Sequence, residues 1–275
     1  QVLCWGQGEQ GQCGNGTYTS TDTPSVVPDI NNAIEVSAGV ASACALLASG
    51  DVTCWGQNGF GQLGDGTTNS TNLPVTVQDL GPHGICSACD DQNPCTIDYC
   101  VPDAPCAPTP VPDGTPCSIN MACDAGACTA IAPIPQSTLA IGEYFTAAIR
   151  TDGTVAAWGG NTYGQLGGGE LSTVLLTTPS DVVGLTDAVS IVSGDDHLCS
   201  LMSDGTVYCW GLGNNGQLGN GDNVTSPTAV VVSGLSGVVQ IAASVASTCA
   251  LKSDGTVWCW GLNLEKQLGT PCLLY

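Results

Sequence analysis

The chain is built from short apolar runs separated by turns of glycine, aspartate and serine, the pattern of many short β-strands. Leu201-Met202, Ser203-Asp204-Gly205 and Thr206-Val207 predict a hairpin with a three-residue loop. Glycine in the last loop position supplies the left-handed backbone that such a loop requires. Counting outward pairs Met202 with Thr206, Leu201 with Val207 and Cys199 with Cys209. Around Ser253-Asp254-Gly255 the same register pairs Leu251 with Val257 and Cys249 with Cys259. Around Ala48-Ser49-Gly50 it pairs Leu46 with Val52 and Cys44 with Cys54. Further apolar stretches predict more strands: Val75 after Pro74, Val230-Val231-Val232 after Pro227, and Val238-Val239-Gln240-Ile241-Ala242.

Side chains alternate along a strand, so each cysteine pair shares a face with its Leu–Val pair. A fourth hairpin, around Thr151-Asp152-Gly153, pairs Ile149 with Val155 and Ala147 with Ala157. Both cysteine positions are alanine there. Joint replacement is what bonded sulfurs predict, because a single loss would strand a thiol. Cross-strand disulfides Cys44–Cys54, Cys199–Cys209 and Cys249–Cys259 are therefore expected. Zinc is disfavoured, since two opposed cysteines lack the remaining ligands.

Each hairpin leads into a tryptophan: Cys4-Trp5-Gly6, Cys54-Trp55-Gly56, Ala157-Trp158-Gly159, Cys209-Trp210-Gly211 and Cys259-Trp260-Gly261. Three of the intervals are about fifty residues, and the one from Trp55 to Trp158 is about twice that. Beyond the tryptophans come Gly61-Gln62-Leu63-Gly64, Gly164-Gln165-Leu166-Gly167, Gly216-Gln217-Leu218-Gly219 and Lys266-Gln267-Leu268-Gly269. The first copy reads Gly11-Gln12-Cys13-Gly14, with cysteine in the leucine position. Self-similarity of this period indicates a repeat architecture.

The stretch from Gly194 and His197 through Leu201, Asp204-Gly205, Val207 and Trp210-Gly211 to Gly216-Gln217-Leu218-Gly219 resembles the regulator of chromosome condensation (RCC1) repeat. The resemblance covers about residues 1–80 and 138–275. It implies an all-β fold, a β-propeller of four-stranded blades. This chain has four full intervals plus a partial end and begins and ends inside a repeat. The expectation is a fragment, a propeller closing with fewer blades, or edges completed by neighbouring chains.

Residues 1–80 and 138–275 are thus expected to form propeller repeats, with 81–137 a small disulfide-rich insert. Cys86, Cys89, Cys95, Cys100, Cys106, Cys117, Cys123 and Cys128 are even in number and suited to internal pairing. So short a segment needs such staples. It resembles cysteine-rich repeats in secreted surface proteins of myxobacteria. Cys86-x-x-Cys89 with His83 makes a poor zinc site, since no second such pair follows. Asp90, Asp91, Asn93 and Asp98 match no calcium loop and read as a solvated acidic stretch. No metal or cofactor is expected.

Composition then narrows the role. Acidic residues number 24 against three basic ones, Arg150, Lys252 and Lys266, for a net charge of −21. Such a surface opposes nucleic acid and anionic membranes. Chromatin binding and nucleotide exchange are therefore not expected to follow from the resemblance. No apolar run approaches a membrane-spanning length. Seventeen cysteines in hairpin and clustered spacing imply an oxidising compartment, and an extracellular or cell-surface location is expected.

Cys4, Cys13 and Cys272 remain after the other pairings; the hairpin partner strand of Cys4 would lie before Gln1, and at least one thiol is left free, bonded to another chain, or bonded to a segment outside this sequence. Asn15, Asn69 and Asn223 are N-glycosylation acceptors at expected loop positions. No catalytic motif is present. His197 occupies the repeat's histidine position, where a turn-stabilising hydrogen bond is expected. Asp195 and Asp196 are read as neighbours on a strand that point apart. The expected function is a non-enzymatic extracellular structural or protein-interaction protein, self-assembling head to tail. The alternative is a secreted binding or inhibitor module that uses one loop face to hold a protein or carbohydrate.

Overall fold

The computed structural model describes residues 1–80, 137–264 apart from 151, and 266 and 268, together with the backbone of short strands between 96 and 130. The first strands are β1 (Leu3–Gly6), β2 (Thr21–Val26), β3 (Ala33–Ala38), β4 (Ser42–Leu47), β5 (Val52–Gly56) and β6 (Thr71–Thr76). The insert holds β7 (Thr96–Ile97), β8 (Thr109–Pro110), β9 (Pro116–Ser118), β10 (Met121–Asp124) and β11 (Ala127–Ala130). There follow β12 (Leu139–Ile141), β13 (Phe145–Ile149), β14 (Val155–Asn161) and β15 (Ser172–Asp181). The last seven are β16 (Ala188–Ser193), β17 (His197–Met202), β18 (Val207–Gly211), β19 (Ser226–Val231), β20 (Val238–Ser244), β21 (Ser247–Lys252) and β22 (Val257–Gly261).

The repeats fold as a β-propeller. Antiparallel four-stranded blades form in the orders β3-β4-β5-β6, β12-β13-β14-β15 and β16-β17-β18-β19. They are flanked by the pair β1-β2 and the three-stranded sheet β20-β21-β22. The main contacts between sheets run in chain order, from β3 to β12, β12 to β16 and β16 to β20.

The hairpins adopt the register that their loops dictate. Cys44 lies opposite Cys54, Ala147 opposite Ala157, Cys199 opposite Cys209 and Cys249 opposite Cys259. Gly205 sits in the left-handed region at φ 80°. Asp204 accepts hydrogen bonds from the Thr206 hydroxyl and amide at 2.6 and 2.9 Å. Those bonds hold its carboxyl below the ordinary aspartate range. Asp254 repeats the arrangement with Thr256. The three opposed cysteine pairs are bonded, with Cα atoms 4.0, 4.1 and 4.1 Å apart.

Two polar side chains hold the repeat region where the insert leaves and returns. The Arg150 guanidinium donates to the Leu80 carbonyl at 2.6 Å and pairs with Asp181 at 2.7 Å. On the return side, the Glu35 carboxylate accepts the Ser137 hydroxyl, the Thr138 amide and hydroxyl, and the Leu139 amide.

Residues 82–136 form a compact unit of their own. β7 pairs with β8, and β9, β10 and β11 make a three-stranded sheet whose backbone sets Cys123 opposite Cys128. Cys86, Cys89, Cys95, Cys100 and Cys106 lie outside the described residues, as does Cys272. Only the backbone is described at Cys117, Cys123 and Cys128.

The staples should contribute independently of the blade. Replacing both Cys199 and Cys209 with alanine, the pair that the Ala147–Ala157 blade already carries, is expected to lower stability by roughly 2–3 kcal/mol while keeping the fold. Denaturant unfolding of the oxidised proteins measures this; an unchanged midpoint would contradict it.

Candidate functional site

Two features recur at the same end of every blade. In an antiparallel blade the turn between its first and second strands and the turn between its third and fourth strands share one end. The hairpin loops that carry Asp204 and Asp254 lie at the other.

The first feature is a joint between successive repeats. Within each Gly-Gln-x-Gly turn the final glycine amide closes on the first glycine's carbonyl, as Gly167 does on Gly164 at 2.9 Å. The glutamine amide oxygen accepts the backbone N–H two residues before it: Phe60 to Gln62, Tyr163 to Gln165, Asn215 to Gln217. An asparagine near the tryptophan accepts the amide of the turn's leucine, Asn58 from Leu63 and Asn161 from Leu166. So braced, each glutamine carbonyl faces the next repeat. Trp55 Nε1 donates to Gln12 O at 3.0 Å, Trp158 to Gln62 O at 2.9 Å, Trp210 to Gln165 O at 3.0 Å and Trp260 to Gln217 O at 2.9 Å. The turn's last glycine lies flat on the indole. A Cβ on Gly167 would come within 2.9 Å of Trp210 Nε1 and 2.6 Å of Val182. These four tryptophans are at most 1% exposed.

The second feature is a row formed by the turns between first and second strands. It comprises Val40-Ala41, Glu143-Tyr144, Asp195-Asp196 and Val245-Ala246. The Glu143 amide donates to Asp195 O at 3.0 Å, and the Asp195 amide to Val245 O at 3.1 Å. Three half-buried carboxyls thus crowd the middle of the row, with exposed Val40 and Val245 at its flanks. Burial, then repulsion from Glu143 and Asp195, pushes Asp196 up to about 6. Asp195 is raised by burial and by Glu143. Tyr144 hydrogen-bonds Glu143, which raises its phenol, and its ring lies 4.2 Å from that of Phe60. Among the described residues no group of three His, Cys, Asp or Glu side chains has the geometry to hold a metal ion.

Several sequence expectations change here. Asp195 and Asp196 do not alternate across a strand. β16 ends at Ser193 and β17 begins at His197, so both sit in a turn and repel one another. The His197 bond does not close its own turn: Nε2 meets Thr248 Oγ1 of the next sheet at 2.9 Å. Its buried Nδ1 faces Gly194 and has no hydrogen-bond partner among the described residues, and burial lowers the imidazole to about 4, so the ring is neutral. Asn69 and Asn223 are exposed loop residues. Asn15 is half-buried, with its Nδ2 donating to Ser25. Glu143 and Tyr144 carried no sequence signal, because no motif marks them.

Sheets whose tryptophans are each sealed by the preceding repeat's turn define a tandem-repeat β-propeller. The sequence matches the family described as regulator of chromosome condensation (RCC1) repeat over residues 1–46, 49–89, 152–201 and 204–251. A second description of that repeat matches 33–62, 137–165, 188–217 and 238–267. The chain belongs to the RCC1 repeat family. Human WBSCR16 shares the fold with a TM-score of 0.68 at 22% identity, over 98% of this chain and 58% of that one. Yeast RCC1 (Prp20), solved bound to Kap60, gives 0.63 at 22% identity, over 95% of this chain and 52% of that one. The human E3 ubiquitin-protein ligase HERC2 is 28% identical over 233 residues, 80% of this chain but 5% of its own length. The chain spans between 5% and 19% of the first curated relatives it matches.

Both features have measurable energies. Trp210→Phe removes the donor to Gln165 O and should cost about 1–3 kcal/mol, read by urea unfolding. Asp196 has the opposite sign. Its raised pKa penalises the folded state above about pH 6 and carries no penalty below the unfolded value near 4. Asp196→Asn should therefore stabilise by about 1 kcal/mol at pH 7, after discounting for solvent screening of a half-exposed carboxyl, and by nothing at pH 3.5. Equal gains at both pH values would contradict the assignment.

Proposed function

We propose that this chain is a non-catalytic, extracellular protein-binding propeller whose row of inner turns grips a lysine- or arginine-rich segment of a partner protein. The observation that carries the reading is the hydrogen-bonded row from Glu143 to Val245, with three crowded carboxyls between apolar flanks. A cation set among Glu143, Asp195 and Asp196 relieves their repulsion, so binding is favoured by energy the free protein holds as strain between charges. Tyr144 and Phe60 add an aromatic contact beside it. Prp20, which shares the fold, is solved with a protein partner, Kap60, and this supports a protein ligand here. The net charge of −21 favours a basic partner, and the disulfides favour an oxidising compartment.

A second reading is assembly of copies head to tail. Each joint runs in one direction, from an indole to the Gly-Gln-x-Gly turn of the preceding repeat, and a contact of the same direction between copies would join them head to tail. Contacts of that type extend into filaments when they do not close.

A polyarginine peptide titrated by calorimetry tests the first reading. Asp195→Asn with Asp196→Asn should weaken binding at least ten-fold at pH 7.5, and binding to the unaltered protein should weaken as the pH falls through 6. Asp204→Asn with Asp254→Asn, an equal charge change at the opposite end, should leave it within two-fold. Equal losses in both pairs would mean diffuse charge attraction and would overturn it. Sedimentation tests the second reading: association that grows with concentration supports it, and a monomer at the highest soluble concentration defeats it.

A further inference from the structure

We infer that Cys4 and Cys13 are the two halves of a fourth disulfide in the repeat region, one that staples the Gly-Gln-x-Gly turn of the first repeat to β1 instead of joining two hairpin strands. The argument begins with what the other repeats place at these positions. Cys54 and Cys209 are bonded across a hairpin, and Leu63 and Leu218 of the turns that follow pack into the same apolar clusters as those disulfides. The turn's third residue therefore shares an apolar cluster with the cysteine of the third strand. In the first repeat the turn differs: Cys13 stands where the other turns carry leucine, while Cys4 keeps the third-strand position of Cys54 and Cys209.

The geometry places both sulfurs at one turn. Cys13 is fully buried and Cys4 half-buried, and the Cys13 thiol is among the groups that raise the Cys4 thiol. Cys4 Sγ lies 3.7 Å from Gln12 O, and Cys13 Sγ lies 3.6 Å from Gln7 O. Gln12 O is the atom that receives the Trp55 indole. The staple would thus fix the one turn on which the first joint between repeats depends.

Bond formation needs an oxidant, and a low-molecular-weight disulfide such as oxidised glutathione serves. Cys4, the more accessible thiol, loses its proton and attacks the small disulfide, whose S–S bond breaks to release one thiol. Cys13 then loses its proton and attacks the Cys4 sulfur of the mixed disulfide. The Cys4–Cys13 bond forms and the second small thiol leaves. Two protein thiols are oxidised and one small disulfide is reduced. In the folded dithiol, burial and the neighbouring Cys13 thiol push Cys4 up to about 12, which leaves little thiolate near neutral pH. The exchange is therefore expected chiefly while the chain folds.

Glu9 lies between the two cysteines, so cleavage there tests the bond directly. The full chain is purified without reductant, quenched with iodoacetamide, digested with a glutamate-specific protease and analysed by mass spectrometry. The expected product is the peptide ending at Glu9 joined to the one that follows through Cys4 and Cys13. Carbamidomethyl groups on both cysteines, or either one linked to Cys272 or to another chain, would overturn the inference. Cys13→Leu, which restores the residue of the other turns, should fold and leave Cys4 fully alkylatable after denaturation without reductant. An unlabelled Cys4 in that variant would show that its partner was never Cys13.

Discussion

One interaction organises this fold: an indole N–H donated to a glutamine carbonyl of the preceding repeat. A sheet cannot bury both faces alone, so each blade needs a neighbour. The tryptophan supplies area and the turn supplies shape. Its glycine has no side chain, which lets the backbone lie against the ring, and its glutamine presents a carbonyl where the indole nitrogen must find a partner. Every element of the turn serves that contact: the glutamine amide oxygen takes the N–H two residues earlier, the leucine fills the core, and the asparagine takes the leucine amide. Because the bond always runs from one repeat to the next, it sets direction as well as adhesion. A chain of such joints has a donor end and an acceptor end.

What was legible in the sequence follows from distance along the chain. A three-residue loop with a terminal glycine fixes a hairpin within about ten residues, and its register can be counted. The disulfides came with that register, since they link residues ten apart. The repeat was legible because its marks recur. Which turn meets which tryptophan was not, because all copies look alike and the partners lie more than forty residues apart. Glu35 and Arg150 were invisible for another reason. Each acts once, at the break where the insert leaves and rejoins the repeats, and a residue used once leaves no pattern.

The row of inner turns was legible only in part. A strand reading misplaces Asp195 and Asp196, because alternation stops at Ser193, where the strand ends. Once the strand stops, adjacent side chains need not diverge, and hydrogen bonds between neighbouring turns draw Glu143 toward them. Crowding of like charges at one point of a stable scaffold is a local cost. The sheets beneath carry it because their stability resides in buried tryptophans and hairpins, at a distance from the turns. Sites that break local rules are where function is first sought.

The staple and the joint act on different terms of a repeat protein's stability. To a first approximation that stability is a sum of intrinsic repeat terms and interface terms between neighbours. A hairpin disulfide constrains the unfolded chain within one repeat, so it adds to an intrinsic term. It is dispensable wherever packing suffices, as at Ala147 and Ala157, both fully buried in the core shared with the next blade. The tryptophan adds to an interface term, and no change within a blade replaces it. This explains why the five copies vary in their cysteines and keep their tryptophans. It also gives the first repeat its particular character. With cysteine in the turn itself, a staple there would bear on the interface term, because the segment it constrains is the one that holds Trp55.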